Sequence, residues 1–218
     1  INSLRIEGQK TISIELCQQF DWAIPDWVII PGGNLGNISA LGKGFLMLKD
    51  MGLISKLPRL VCAQSQNANP LYQSYLNNFE TFEPVLAKTT LANAIQIGDP
   101  VSVNKAIKIL KEFDGIVEQA SEEELASASA RVDLTGTFNC PHTGVAITAF
   151  EKLVNNKVIK KTDKVVVIST AHGLKFVDFK INYHLEKLSE ISNKFSNHPI
   201  EVEASTDKVM QILDSKVL

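Results

Sequence analysis

Trp27-Val28-Ile29-Ile30-Pro31-Gly32-Gly33-Asn34-Leu35-Gly36-Asn37 is the stretch that decides the fold. Its first four residues are an apolar run that reads as a buried strand, and the segment after Asn37 reads as a helix. A strand, a glycine turn and a helix N-terminus together make a place to hold a phosphate. Glycines let backbone N–H groups approach an anion, and the helix dipole favours negative charge at that end. The loop lacks the Lys-Ser/Thr of a Walker A sequence and the three spaced glycines of the dinucleotide fingerprint. Taken alone, it reads equally well as a tight strand-to-helix turn with no ligand.

The same alternation continues on both sides. Glu7 to Phe20 reads as a helix, with Ile12, Leu16 and Phe20 at helical spacing. Leu41, Phe45 and Leu48 share a helical face that Gly52 should terminate. Leu60-Val61-Cys62-Ala63 reads as a short buried strand, and Asn67 to Tyr75 as the start of a helix. Ser102 is expected to cap a helix with a Val103, Ala106, Ile107, Leu110 stripe, followed by a strand at Gly115-Ile116-Val117. Ser121-Glu122-Glu123-Glu124 reads as a capping box. Lys164-Val165-Val166-Val167-Ile168 reads as the clearest strand, apolar on both faces. Such strands between helices predict an α/β fold: an open, mostly parallel sheet with helices on both faces. From Phe176 the chain turns polar, with a connection at Asn193 to Pro199. It ends in a Val209, Ile212, Leu213, Val217 stripe, expected to dock on the body as a terminal helix, the alternative being an interaction helix.

The chain has 218 residues, 44% hydrophobic and 21% charged, with a net charge of −2. That length supports one large domain or two small ones. Near-neutral charge without a basic run argues against nucleic-acid binding. No apolar run is long enough to span a bilayer, and no secretory or transit-like segment opens the chain. Its start at Ile1, not Met, reads as a fragment or processed chain. Cys17, Cys62 and Cys140 are odd in number and widely spaced, which suggests reduced thiols and no metal site.

Several residues are candidates for chemistry. Ser169-Thr170-Ala171-His172-Gly173-Leu174-Lys175 closes the last strand. Ligands in open α/β sheets sit at carboxyl ends of strands, so Ser169 and Thr170 read either as hydroxyls facing the glycine-loop crevice or as turn caps. Arg5 suits a phosphate or carboxylate, or is a surface arginine. Lys10 reads as an exposed helix-capping lysine. Ala92 to Pro100 reads as a ligand-lining loop or a buried connection. A Cys140–His142 thiol–imidazole pair is disfavoured by the intervening Pro141. His172 reads as structural, and His184 and His198 as structural or exposed.

Five stretches recur together, in order and spacing: Arg5 to Thr11, Pro31 to Asn37, Ala94 to Pro100, Cys140 to Ala146, and Ser169 to Lys175. With them, essentially the whole chain resembles the C-terminal part of plant-type threonine synthases. These are pyridoxal-phosphate enzymes of the tryptophan-synthase-β-like fold (fold type II). The resemblance implies that residues 1–175 belong to an incomplete large domain and residues 176–218 to a C-terminal helical extension. Gly33, Asn34, Leu35, Gly36 and Asn37 match the loop that holds the cofactor phosphate. Thr170 matches the hydroxyl facing the pyridine nitrogen, and Ile97 and Gly98 match the wall beside the ring. Arg5, together with Asn37, matches the contacts to the substrate phosphate. The implied reaction converts O-phospho-L-homoserine and water to L-threonine and phosphate, by γ-elimination and then addition of water at the β-carbon.

The resemblance also implies limits. The Schiff-base lysine belongs to the N-terminal half; Lys10 and Lys175 do not match it, so no catalytic lysine is expected here. The 218 residues alone are expected to be inactive, and poorly stable because the large domain takes strands from that half. A homodimer, S-adenosylmethionine activation through the N-terminal region and a chloroplast location are implied likewise. The rival readings are another fold type II enzyme, such as a threonine or serine dehydratase, and a truncated non-catalytic paralogue.

Overall fold

The computed structural model describes residues 3–217, and side chains from residue 4 to residue 215. Its elements run α1 (Ser3–Gln9), α2 (Thr11–Gln19), β1 (Trp27–Pro31), α3 (Gly36–Asp50), β2 (Arg59–Ser65), α4 (Pro70–Leu76) and α5 (Val103–Glu112). They continue with β3 (Ile116–Ala120), α6 (Glu122–Asp133), α7 (Pro141–Asn155), β4 (Val165–Val167), α8 (Val177–His184) and α9 (Thr206–Val217). The strands form one four-stranded parallel sheet in the order β3-β2-β1-β4. β1 lies inside it, with Ile29 opposite Val61 of β2 on one side and Val167 of β4 on the other.

Alternation along β1 feeds two cores, which explains its unbroken apolar run. Val28 and Ile30 point into one, with Leu41 and Phe45 of α3 and Leu110 of α5. Trp27 and Ile29 point into the other, with Val145, Ala149 and Leu153 of α7. Helices therefore cover both faces, as the sequence predicts. Ile29 has no exposed surface, so its truncation to alanine would cost about 2–5 kcal/mol.

Local chemistry sets the boundaries. Gly52 adopts φ +71° just beyond α3, the left-handed stop that glycine supplies without strain. The capping box is present: Glu124 N–H donates to Ser121 Oγ, and Ser121 N–H donates to Glu124 Oε2 at 2.8 Å.

Four expectations need correction. The helix expected over 7–20 divides at Lys10, whose carbonyl accepts from Ser13 N–H in a tightened turn. Ser102 occupies the position before α5 but makes no side-chain cap; its N–H donates to Asn34 O at 3.2 Å. β4 is shorter than expected and half-buried, because among the described residues it lies at the sheet's edge and pairs with β1 alone. The terminal helix joins neither hydrophobic core of the sheet: Val209 and Leu213 of α9 are exposed, Ile212 is half-buried, and the Val217 side chain lies outside the described residues.

What docks instead is α8. Phe179 and Tyr183 pack on Ala126 and Ala130 of α6. Between them, buried Lys180 donates to Asp133 Oδ2 at 2.6 Å and to Ser129 Oγ at 2.7 Å.

Candidate active site

A cleft of about 930 Å³ opens at the carboxyl ends of β1 and β4. The chain runs outward from β1 to β2 and β3, then returns to β4 on β1's other side. The cleft therefore sits where the strand order reverses, the place where open α/β sheets bind ligands.

The loop from Gly33 to Asn37 lines the cleft. Among the described residues, none accepts a hydrogen bond from the amides of Gly33, Asn34, Leu35, Gly36 or Asn37. Five consecutive free amides at the N-terminus of a 15-residue helix make a donor set for an anion. Leu35, at φ +63°, turns the chain into α3 while its side chain stays buried. The Asn37 side chain braces the loop: Nδ2 donates to Pro31 O at 2.6 Å, and Oδ1 accepts from Ile38 N–H at 2.8 Å. Gly33 lies tight on the opposite wall, where an added Cβ would fall 2.9 Å from Ile95 Cα.

Arg5 of α1 lines the same cleft, and its side chain makes no ion pair with the described residues. Ile6, beside it, packs over Gly36. Ile97 also lines the cleft; Gly98 does not, its carbonyl being tied to Val85 N–H at 2.9 Å. Past the end of β4, the exposed Ser169 and Thr170 face the cleft. Lys10 pairs with Glu7 at 2.7 Å, and His172 Nδ1 accepts from Leu174 N–H. No lysine lines the cleft among the described residues.

Behind Thr170 lies the first turn of α7. Cys140 Sγ is 3.2 Å from Thr143 Oγ1 and 3.9 Å from Thr170 Oγ1, and Thr143 Oγ1 is 3.1 Å from Ser169 Oγ. Burial pushes the Cys140 thiol up, but hydrogen bonds from His142 and Thr143 outweigh it and bring the thiol down to about 6. Cys62 has no such partners and is pushed up to about 12 by burial. His142, two residues on, is foremost among the groups that lower the Cys140 thiol, while the contacts of the sulfur itself run to Thr143 and Thr170.

A family profile described as "Pyridoxal-phosphate dependent enzyme" matches residues 1–171. The chain belongs to the pyridoxal-phosphate-dependent enzyme family. Within that family it is 56% identical over 98% of its length to a protein named "Threonine synthase 2, chloroplastic" from Arabidopsis thaliana, covering 42% of that protein. It is 35% identical over 98% of its length to a threonine synthase from Methanocaldococcus jannaschii, covering 50% of it. The crystal structure of threonine synthase from Escherichia coli superposes with a TM-score of 0.64 at 17% identity, over 96% of this chain and 49% of that one, which supports the fold. The chain spans about half the length of the curated relatives it matches.

The residues present fit the family's cofactor: a free-amide cradle for its phosphate faces strand-end hydroxyls across one cleft. Sequence reading gave no cleft role to several residues that line this family member's cleft. Among them are Ser102, Phe176 and His142, whose Nε2 accepts from Ala94 N–H at 3.0 Å. A signal for His142 was its place in the first turn of a helix opening with Pro at N1.

Proposed function

We propose that this chain is the part of a threonine synthase that anchors the cofactor phosphate and forms one side of the substrate site. The observation that carries the reading is the run of five free amides from Gly33 to Asn37. When bound, pyridoxal phosphate supplies an electron sink for carbanion chemistry, and the protein supplies orientation. The Gly33–Asn37 amides hold its phosphate. The Thr170 hydroxyl would face the ring nitrogen, which suits an unprotonated ring better than a carboxylate would. Ile97, which lines the cleft, would flank the ring and keep water from it.

Arg5 holds the phosphate of O-phospho-L-homoserine, with Asn37 beside it. A fixed cation of this kind suits a phosphorylated substrate and distinguishes a synthase from a dehydratase. The products are L-threonine and phosphate. The lysine that carries the cofactor is supplied from outside these residues, so the chain alone is inactive. A dimer, S-adenosylmethionine activation and a plastid location belong to the same reading, the last supported by the name of the Arabidopsis relative.

The test is phosphate release from O-phospho-L-homoserine by the intact protein, with Arg5→Ala in parallel. Loss of one charge-assisted contact should lower kcat/KM about 10- to 100-fold. Wild-type phosphate release by Arg5→Ala would remove Arg5 from the site, and no release by the wild type would remove the synthase reading.

A further inference from the structure

The two hydroxyls that face the cleft from the end of β4 are backed by two groups with almost no exposure, Cys140 at 0% and Thr143 at 3%. The four form a chain of contacts, Thr170 to Cys140, Cys140 to Thr143 and Thr143 to Ser169, at 3.9, 3.2 and 3.1 Å. A hydroxyl carries one hydrogen, and where it points depends on its neighbours. If the thiol donates to Thr170 Oγ1, the Thr170 hydrogen is left for the cleft. If the sulfur accepts, that hydrogen turns inward and only a lone pair faces the cleft.

We propose that Cys140 and Thr143 are positioning residues that aim the Thr170 hydroxyl hydrogen into the cleft, toward the ring nitrogen of a bound pyridine cofactor. The proposal rests on the assignment of Thr170 to that nitrogen. Cys140 acts as the donor to Thr170. Thr143 keeps the sulfur's lone pairs engaged and ties Ser169 to the same turn, so both hydroxyls are held from behind by α7. The arrangement needs a protonated thiol. The charged and titratable groups around the sulfur are His142 on α7 and Lys180 on α8, the latter neutralised by Asp133 of α6. With the thiol held down to about 6, the Thr170 hydrogen faces the cleft below that value and turns inward to the thiolate above it, so the aim is itself set by pH.

The experiment is the absorption spectrum of bound pyridoxal phosphate in the intact protein across pH, with the cofactor dissociation constant. The variants are Thr170→Ala, Cys140→Ala, Thr143→Val and the conservative Thr143→Ser, with thermal melting to show that each is folded. The wild-type spectrum should change with a midpoint at about 6. Cys140→Ala and Thr143→Val should abolish or displace that midpoint and, on its acid side, raise the dissociation constant about fivefold, the worth of one neutral hydrogen bond. Thr143→Ser should restore both. A normal midpoint in both Cys140→Ala and Thr143→Val, with Thr170→Ala altered, would overturn the proposal and leave the Thr170 assignment standing. An unaltered Thr170→Ala spectrum would remove that assignment and the proposal with it. Should Cys140→Ala fail to fold, Cys140→Ser replaces it: Ser retains the Thr143 contact but lies farther from Thr170, so an unchanged midpoint there overturns the role of Cys140.

Discussion

Ala94 N–H donates to His142 Nε2 at 3.0 Å, joining the wall of the cleft to the first turn of α7. The partners are 48 residues apart, and the His142 ring packs edge-on against Phe176, at a centroid distance of 4.9 Å. One imidazole thus connects the wall loop, α7 and the start of the C-terminal segment. His142→Ala should lower unfolding free energy by about 1–3 kcal/mol, from the lost hydrogen bond and the space left by the buried ring. It should also raise amide exchange at Ala94 selectively. Denaturant unfolding and hydrogen exchange with mass spectrometry check both effects.

Gly33 and Gly36 should separate the packing of the loop from its anion binding. An added Cβ at Gly33 would press on the Ile95 backbone at 2.9 Å, whereas at Gly36 it meets Ile6 at an ordinary 3.6 Å. Gly33→Ala should therefore destabilise the protein by about 1–3 kcal/mol and weaken cofactor binding. Gly36→Ala should change stability by under about 0.5 kcal/mol. Calorimetry with equilibrium dialysis of pyridoxal phosphate measures the pair.

Asp26 ties the start of β1 to the start of β4. Its Oδ2 accepts from Lys164 N–H at 2.9 Å, and its Oδ1 pairs with Lys56 at 3.2 Å. The backbone bond from Lys164, then Lys56, hold its carboxyl below the ordinary 3.8. A depressed folded value means that the unfolded chain binds the proton more readily. The stabilisation is therefore complete above 3.8 and is lost as pH falls through the folded value. Urea midpoints should fall on acidification, and Asp26→Asn should flatten that acid limb.

The Lys180–Asp133 pair secures α8. Burial pulls the Lys180 ammonium below its ordinary 10.5, and Asp133 offsets part of that shift. Between the folded value and 10.5 the unfolded chain holds more proton, so this group makes stability rise with pH across that window. Asp133→Asn would leave the charge buried without its counter-ion, at a cost of about 3–5 kcal/mol. It should also widen the window toward neutral pH. Lys180→Met should cost less, because no charge is left behind. Urea unfolding of the two variants ranks them.

The parts written contiguously were legible in the sequence. The run from Trp27 to Asn37 carried its strand, its turn and its helix start within eleven residues, and the Ser121–Glu124 box was readable from spacing alone. What depended on neighbours was not. The half-burial of β4 reflects its place at the sheet edge, and three consecutive valines look the same at an edge as in a centre. His142 becomes a cleft residue through Ala94, and Cys140 through Thr170 thirty residues on. Such pairings follow from how α7 lies against the sheet, which no local period encodes. The resemblance compensated in part, because ordered motifs carry tertiary information that periodicity lacks.

An anchor made wholly of main-chain amides is indifferent to which side chains surround it. On the proposed reading, substitution can damage the Gly33–Asn37 cradle only by changing the path of the backbone, whereas rim side chains such as Arg5 and Ile97 can be exchanged one at a time. Grip and discrimination are therefore divided between two chemical alphabets. A lineage could alter the substrate it accepts by redrawing the side-chain rim while inheriting the same phosphate grip unchanged.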